Sequence, residues 1–430
     1  MSLFFLRLVA TFLVAGNGLL AASGVPFATA SGSTWAATGA LAEKLDNPVF
    51  ALAVDPADGR RMLVGAESGA IYLSLDNGVS WRPVRGSSGG AVLALAFDPA
   101  VPGALLAGTR GAGILRSADG GASWQPEPGS EGRTVRAFSF LSGTALAASD
   151  KGVLSSRSLG PWSSAGLVQV RISALAVLPA SDAAPVGTVV AGGDATQGGE
   201  PLPLFSSVDG GQTWAAMPVT GPAGVVGGSG LVAALAGGPA TGQVGRALLM
   251  GTNTGLFATT DRGVSWQQLT GGGVLPATDF TSLAVPPRHP DRFYVASDGG
   301  GSDQGGIWMS SDAGGHFVSL APPLPEVTAM ALTNDDTPTL VVATLRPTDH
   351  EVAIWTYRDT GGQPQGPVAS LPSPQTAPSS ARGAQVVRPA RSQLAALAGE
   401  PETPYLVLGA GALAILLLAA VAYLRRGRQL

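Results

Sequence analysis

The chain has 430 residues, of which only 13% are charged, and it contains 61 glycines and no cysteine. Few charges and many glycines disfavour long solvated helices and favour many short strands joined by tight turns. A formal net charge of −4 with no basic cluster in mid-chain argues against a nucleic-acid partner, and the missing cysteines exclude thiolate catalysis, Cys-ligated metals and disulfides.

The first element in the chain is an export signal. Arg7 is the only early charge, an apolar run follows from Leu8 to about Leu20, and Ala28-Thr29-Ala30 fits the small-x-small cleavage rule. This predicts a signal peptide over 1–30 and a mature chain starting at Ser31.

Residues 31–360 repeat one pattern. Its strongest element is Ser/Thr-x-Asp-x-Gly-x-x-aromatic, first seen from Ser74 through Asp76 and Gly78 to Trp81. It recurs with Asp119 and Trp124, Asp209 and Trp214, Asp261 and Trp266, and Asp312 and Phe317. A decayed copy keeps Ser155 and Trp162 but has Arg157 and Leu159 where Asp and Gly belong. The residue types suit a tight turn: Asp accepts backbone N–H bonds, Gly supplies a positive φ, and the aromatic ring buries a large apolar area as the next strand starts. Upstream of each copy lies a small-large-small triplet, seven in all: Ala51–Ala53, Ala94–Ala96, Ala137–Ser139, Ala174–Ala176, Ala234–Ala236, Ser282–Ala284 and Ala329–Ala331. A second apolar strand follows each triplet. Small residues alternating with large ones suit strands crowded about a central axis.

With these residues the chain resembles the Asp-box, or BNR, repeat family, whose members are β-propellers. The resemblance implies an all-β, seven-bladed propeller in which the box is the turn between the third and fourth strands of a blade. It also implies that the boxes are structural and lie on the face away from any ligand. The last repeat has three strands and no box, while Gly32-Ser33-Thr34-Trp35 matches the endings of the boxes. The strand at Trp35 is therefore expected to complete the last blade and close the ring.

The opposite face is expected to carry the loops between second and third strands. These hold Glu67, Arg110, Asp150 with Lys151, Asp194 with Glu200, Asn253, Asp298 with Asp303, and Arg346 with Asp349, His350 and Glu351. Carboxylates with a few arginines around one channel mouth suit a protein or glycan ligand. No cofactor or metal site is expected: the three histidines have no ligand-like spacing, and the Gly-rich acidic loops lack the regular spacing of a calcium loop. Asp-box propellers include sialidases, but residues 31–50 contain no Arg where that family's Arg motif belongs, and no tyrosine has an evident Glu partner. A run such as AVDPADGRRMLVGAESGAIYLSLDNGVSW also resembles the photosystem II assembly factors and the sortilin ectodomain, which are non-catalytic binding propellers. The expected function is that of a non-catalytic binding or scaffold module, with a glycoside hydrolase using an acidic pair at the mouth as the alternative.

The remaining elements follow the propeller. Residues 361–403 are rich in Pro, Ser, Gln and Ala, which predicts a disordered stalk reaching on the order of 120 Å if fully extended. From Tyr405 to Tyr423 no residue is charged, enough for about 28 Å of helix, which predicts one membrane span over 404–424. Arg425, Arg426 and Arg428 then place the tail 425–430 in the cytoplasm and the propeller outside the cell membrane.

Overall fold

The computed structural model describes residues 35–360, apart from 42–44, 46, 87–88, 159, 179, 181–183, 185, 196–201, 218, 222–223, 226–229, 238–247, 277–278, 290–291, 302–303 and 347. The expected signal peptide, stalk, membrane span and basic tail lie outside the described residues, as do Glu200 and Asp303. Among the described residues no helix is long and apolar enough to cross a membrane.

The fold is an all-β propeller of seven four-stranded antiparallel sheets. Blade 1 runs through Ala51–Val54, Met62–Gly65, Ile71–Ser74 and Arg82–Arg85. The innermost strands of blades 2 to 7 are Val92–Phe97, Val135–Leu141, Ile172–Leu178, Val232–Gly237, Phe280–Ala284 and Glu326–Leu332. Each contains one of the repeated triplets. Each inner strand contacts the next, and that of blade 7 contacts that of blade 1, so the ring closes.

The apolar core is divided among the seven blade interfaces. Seven buried clusters occur, one between each adjacent pair of blades. The interface of blades 1 and 2, for example, holds Leu63, Ile71, Val92, Phe97 and Leu105. Blades approach so closely that a Cβ at Gly65 would lie 2.5 Å from Val92, and one at Gly192 2.4 Å from Val232. Both glycines stand in the second strand of their blade, opposite the first inner-strand residue of the next, where any side chain would push the blades apart.

Blade 7 takes three strands from the end of the repeat region, Glu326–Leu332, Thr339–Arg346 and Glu351–Arg358, and its outer strand, Trp35–Ala37, from the start. Trp35 pairs with Tyr357 and Ala37 with Trp355. The Trp35 indole N–H donates to the Leu320 carbonyl at 2.7 Å, and its ring lies 4.9 Å from that of Tyr357. The Gly39 amide then donates to the Gly78 carbonyl at 2.7 Å, tying this segment to blade 1.

The five intact Ser/Thr-x-Asp turns share one hydrogen-bond pattern. In blade 2, Ser117 Oγ donates to Asp119 Oδ1 at 2.8 Å and accepts from the Gly121 amide at 2.8 Å. Ser123 donates through its amide to Asp119 Oδ1 and through its hydroxyl to Oδ2, at 2.9 and 2.7 Å. His316 replaces the hydroxyl in blade 6, its Nδ1 standing 2.6 Å from Asp312 Oδ2. These contacts account for each polar position of the motif by turn chemistry alone.

Candidate functional site

Strand direction puts the Asp turns and the loops between first and second strands on one face. The starts of the inner strands and the loops between second and third strands lie on the other. On that second face a cavity of about 370 Å³ sits at the axis. Its wall takes one residue from the start of every inner strand: Phe50, Leu93, Arg136, Ser173, Ala233, Thr281 and Thr328. In blades 2 to 7 the sheet register skips this residue, so that each forms a bulge. A bulge leaves one residue out of the ladder and re-aims its side chain, which explains why these seven meet at the axis.

Three of them bind neighbouring blades together. Ser173 donates to the Val232 carbonyl, Thr281 to that of Val327 and Thr328 to that of Val49, at 2.7, 2.8 and 2.7 Å. The other four leave an asymmetric lining of Phe50, Leu93, Arg136 and Ala233. Arg136 is exposed and has no ion-pair partner among the described residues. Phe50 is 45% exposed, and Leu231 on the same wall 36%.

Of the polar residues expected at this mouth, Arg110, Asp194 and Asp298 line the cavity. Arg110 pairs with Glu67 at 3.1 Å, linking blades 2 and 1. Arg171 donates to Asp194 Oδ2 at 3.4 Å, whereas Asp194 Oδ1 is buried without a partner. Asp298 accepts from the Gly300 amide at 2.9 Å. Burial holds the Asp298 carboxyl above the ordinary carboxylate range; the Gly300 amide opposes that rise and the nearby Asp279 charge adds to it.

The other expected residues are not among those lining this cavity. Asp150 accepts from the Thr134 amide at 3.0 Å and Asn253 from the Leu231 amide at 2.8 Å, so both serve loop backbone. The Lys151 carbonyl receives Arg133. Arg346 pairs with Asp349 at 3.0 Å and with Glu351, and His350 is exposed beside them on a turn of positive φ. Among the described residues no group of three or more His, Asp or Glu could hold a metal ion.

Phe50, Leu93, Arg136, Ser173, Thr281, Thr328 and Leu231 were not expected at the mouth. A signal for six of these was present: Phe50, Leu93, Arg136, Ser173, Thr281 and Thr328 each immediately precede a small-large-small triplet. Nothing in the triplets themselves reveals the register skip that turns that residue inward.

No protein-family model matches the chain, and no curated protein matches it in sequence. Among solved structures it is similar to a GH74 xyloglucanase from Xanthomonas campestris (TM-score 0.51, 16% identity, 69% of this chain and 51% of that one). It is also similar to YCF48 bound to D1 peptide (TM-score 0.50, 14% identity, 76% of this chain and 97% of that one). YCF48 from Cyanidioschyzon merolae gives a TM-score of 0.50 at 13% identity, over 75% of this chain and 98% of that one. The chain spans about half the length of the xyloglucanase and nearly all of YCF48. At these identities the likeness is one of fold, and it joins this propeller to both a glycoside hydrolase and a peptide-binding protein.

Proposed function

We propose that the chain is a non-catalytic propeller of the Asp-box kind that binds a partner protein through a short peptide segment at the channel mouth. The observation that carries this reading is the cavity of about 370 Å³ whose wall combines the unpaired Arg136 and exposed Phe50 with the half-buried Asp298. Blades 3 and 6, which supply Arg136 and Asp298, are as far apart as two blades of seven can be. A wall with a cation, an acid and an apolar sector complements a peptide carrying side chains of all three kinds, and electrostatic complementarity of this sort sets register and specificity. Stacking platforms for sugar rings are scarce here: among the described residues Phe50 is the only aromatic side chain lining the cavity. A peptide ligand is also supported by the similar propeller YCF48, one structure of which is bound to D1 peptide.

A second reading rests on Asp194 and Asp298. Two carboxyl groups on one cavity, one of them held above its ordinary range, are the minimum equipment for glycoside hydrolysis. One pair of variants in the full-length chain separates the two. For peptide binding, Arg136→Glu should weaken capture of a mixed-charge peptide more than tenfold at unchanged melting temperature. No glycan should be turned over. Release of reducing sugar from a glycan panel by the parent chain, lost in Asp298→Asn, would establish hydrolysis in its place.

The location proposed is the outer side of a membrane, with the chain anchored through 404–424. Support comes from the charge-free stretch Tyr405–Tyr423 and the three arginines that follow it. Protease digestion of intact cells that spares the propeller would overturn this.

A further inference from the structure

A second cavity, of about 380 Å³, lies on the Asp-turn face between blades 2 and 3. Its wall includes Asp98, Val101, Phe140, Leu141, Ser142 and Ser158. The equivalent interface between blades 1 and 2 shows what is missing. There Asp55 opens the loop between first and second strands, its Oδ1 accepting from the Ala57 amide at 2.9 Å. Its Oδ2 receives Arg61 at 2.7 Å, and the Arg61 guanidinium lies 5.4 Å from the centroid of Phe97, on the next blade. Carboxylate, guanidinium and aromatic ring form one stacked unit.

In blade 2 the same loop recurs as Asp98-Pro99-Ala100. Asp98 Oδ1 again accepts from the amide two residues on, Ala100, at 2.8 Å. The Asp98 amide donates to the Ala104 carbonyl at 3.0 Å, as that of Asp55 does to Arg61 at 2.9 Å. Phe140 holds on blade 3 the place that Phe97 holds on blade 2, the sixth residue of the inner strand. The position of Arg61 is taken by Ala104. No cation stands against Asp98 among the described residues, and the cavity occupies the gap between that carboxylate and Phe140. Blade 3 does not cover the gap, because its own first and second strands join through the tight turn Ser142-Gly143.

We infer that this cavity is a binding site for a guanidinium group on an apolar stem, as an arginine side chain or a small alkylguanidine presents it. The group takes the place that Arg61 fills in the neighbouring interface. Asp98 Oδ2 accepts its N–H groups, the ring of Phe140 covers its face, and Val101 and Leu141 receive the methylenes. The volume exceeds that of one guanidinium, which leaves room for the stem. The inference is independent of what the channel mouth binds.

Calorimetric titration of the full-length chain with agmatine, a guanidinium on a short alkyl chain, tests it. Saturable binding is expected. Asp98→Asn keeps the acceptor for the Ala100 amide and removes the charge; it should weaken binding at least tenfold. Ala104→Arg should supply the missing group from within, abolish agmatine binding and raise the melting temperature. An arginine-bearing peptide with blocked ends, bound more tightly than agmatine, would identify a protein as the source of the group; equal affinities would identify a free small molecule. Agmatine binding that survives Ala104→Arg or Asp98→Asn at parental affinity overturns the inference. So does absence of saturation by either probe up to about 10 mM, beyond which a site has no useful affinity. Should Ala104→Arg fail to fold, Asp98→Asn decides alone.

Discussion

Hydrogen bonds from the Ser123 hydroxyl and amide, and from the Ser117 hydroxyl, hold the Asp119 carboxyl down to about 2. A carboxyl depressed in the folded state adds stability that is present above the ordinary carboxylate range and is lost as pH falls toward the depressed value. Asp119→Asn is therefore expected to melt at a lower temperature at neutral pH and to lose less on acidification, which melting curves between about pH 7 and pH 2 would show. A second network is buried. Arg292 donates to Asp359 Oδ2 at 2.8 Å, with 10% and 0% of the two side chains exposed. The hydroxyl of Tyr294, a wholly buried residue, donates to the same oxygen. Burial and this carboxylate push the Tyr294 hydroxyl far above its ordinary range, so it stays protonated at any working pH. Asp359→Asn would leave a buried guanidinium uncompensated. A loss of about 3 kcal/mol is expected, read from the midpoint of urea unfolding.

At the scale of single elements, the strand Trp35–Ala37 is the shortest part of blade 7 and the one on which closure depends. Trp35→Ala removes the indole bond to Leu320 and the contact with Tyr357. Since Trp35 is only half-buried, a cost of about 2 kcal/mol is expected, less than for a fully buried tryptophan. Equilibrium unfolding would measure it, with a lower cooperativity if blade 7 opens first. This element was legible in the sequence because its Gly-Ser-Thr-Trp ending copies the other turns and one copy was missing from the last repeat. The Asp turns were legible for the same reason: each position in them answers to local hydrogen bonding. The bulges at the inner-strand starts were not. A bulge depends on the register between two strands, and the residues at that position (Leu93, Arg136, Ser173, Ala233, Thr281 and Thr328) share neither size nor polarity.

For the molecule as a whole, seven blades were countable from seven triplets, but the composition of the mouth was only partly readable. Sequence placed polar residues there by turn position. Only the fold shows that Glu67 and Arg110 neutralise one another, that Asp150 and Asn253 serve backbone, and that Asp298 faces the axial cavity. Because burial holds the Asp298 carboxyl high, its charge is lost on acidification sooner than that of an ordinary aspartate. Capture of a basic side chain at that sector is expected to weaken as pH falls through the upper carboxylate range, and Asp298→Asn should remove the dependence; anisotropy titrations at a series of pH values would read both. The Arg292–Asp359–Tyr294 network also has a mechanical meaning. Asp359 immediately follows the blade 7 strand Glu351–Arg358, where the repeat region gives way to the rest of the chain. Tension applied to the chain beyond residue 360 must first extract a buried carboxylate from its arginine and tyrosine on blade 6, before any load reaches the Trp35 strand. With the chain held through the span proposed at 404–424, this network would take up a pull before the closing seam does.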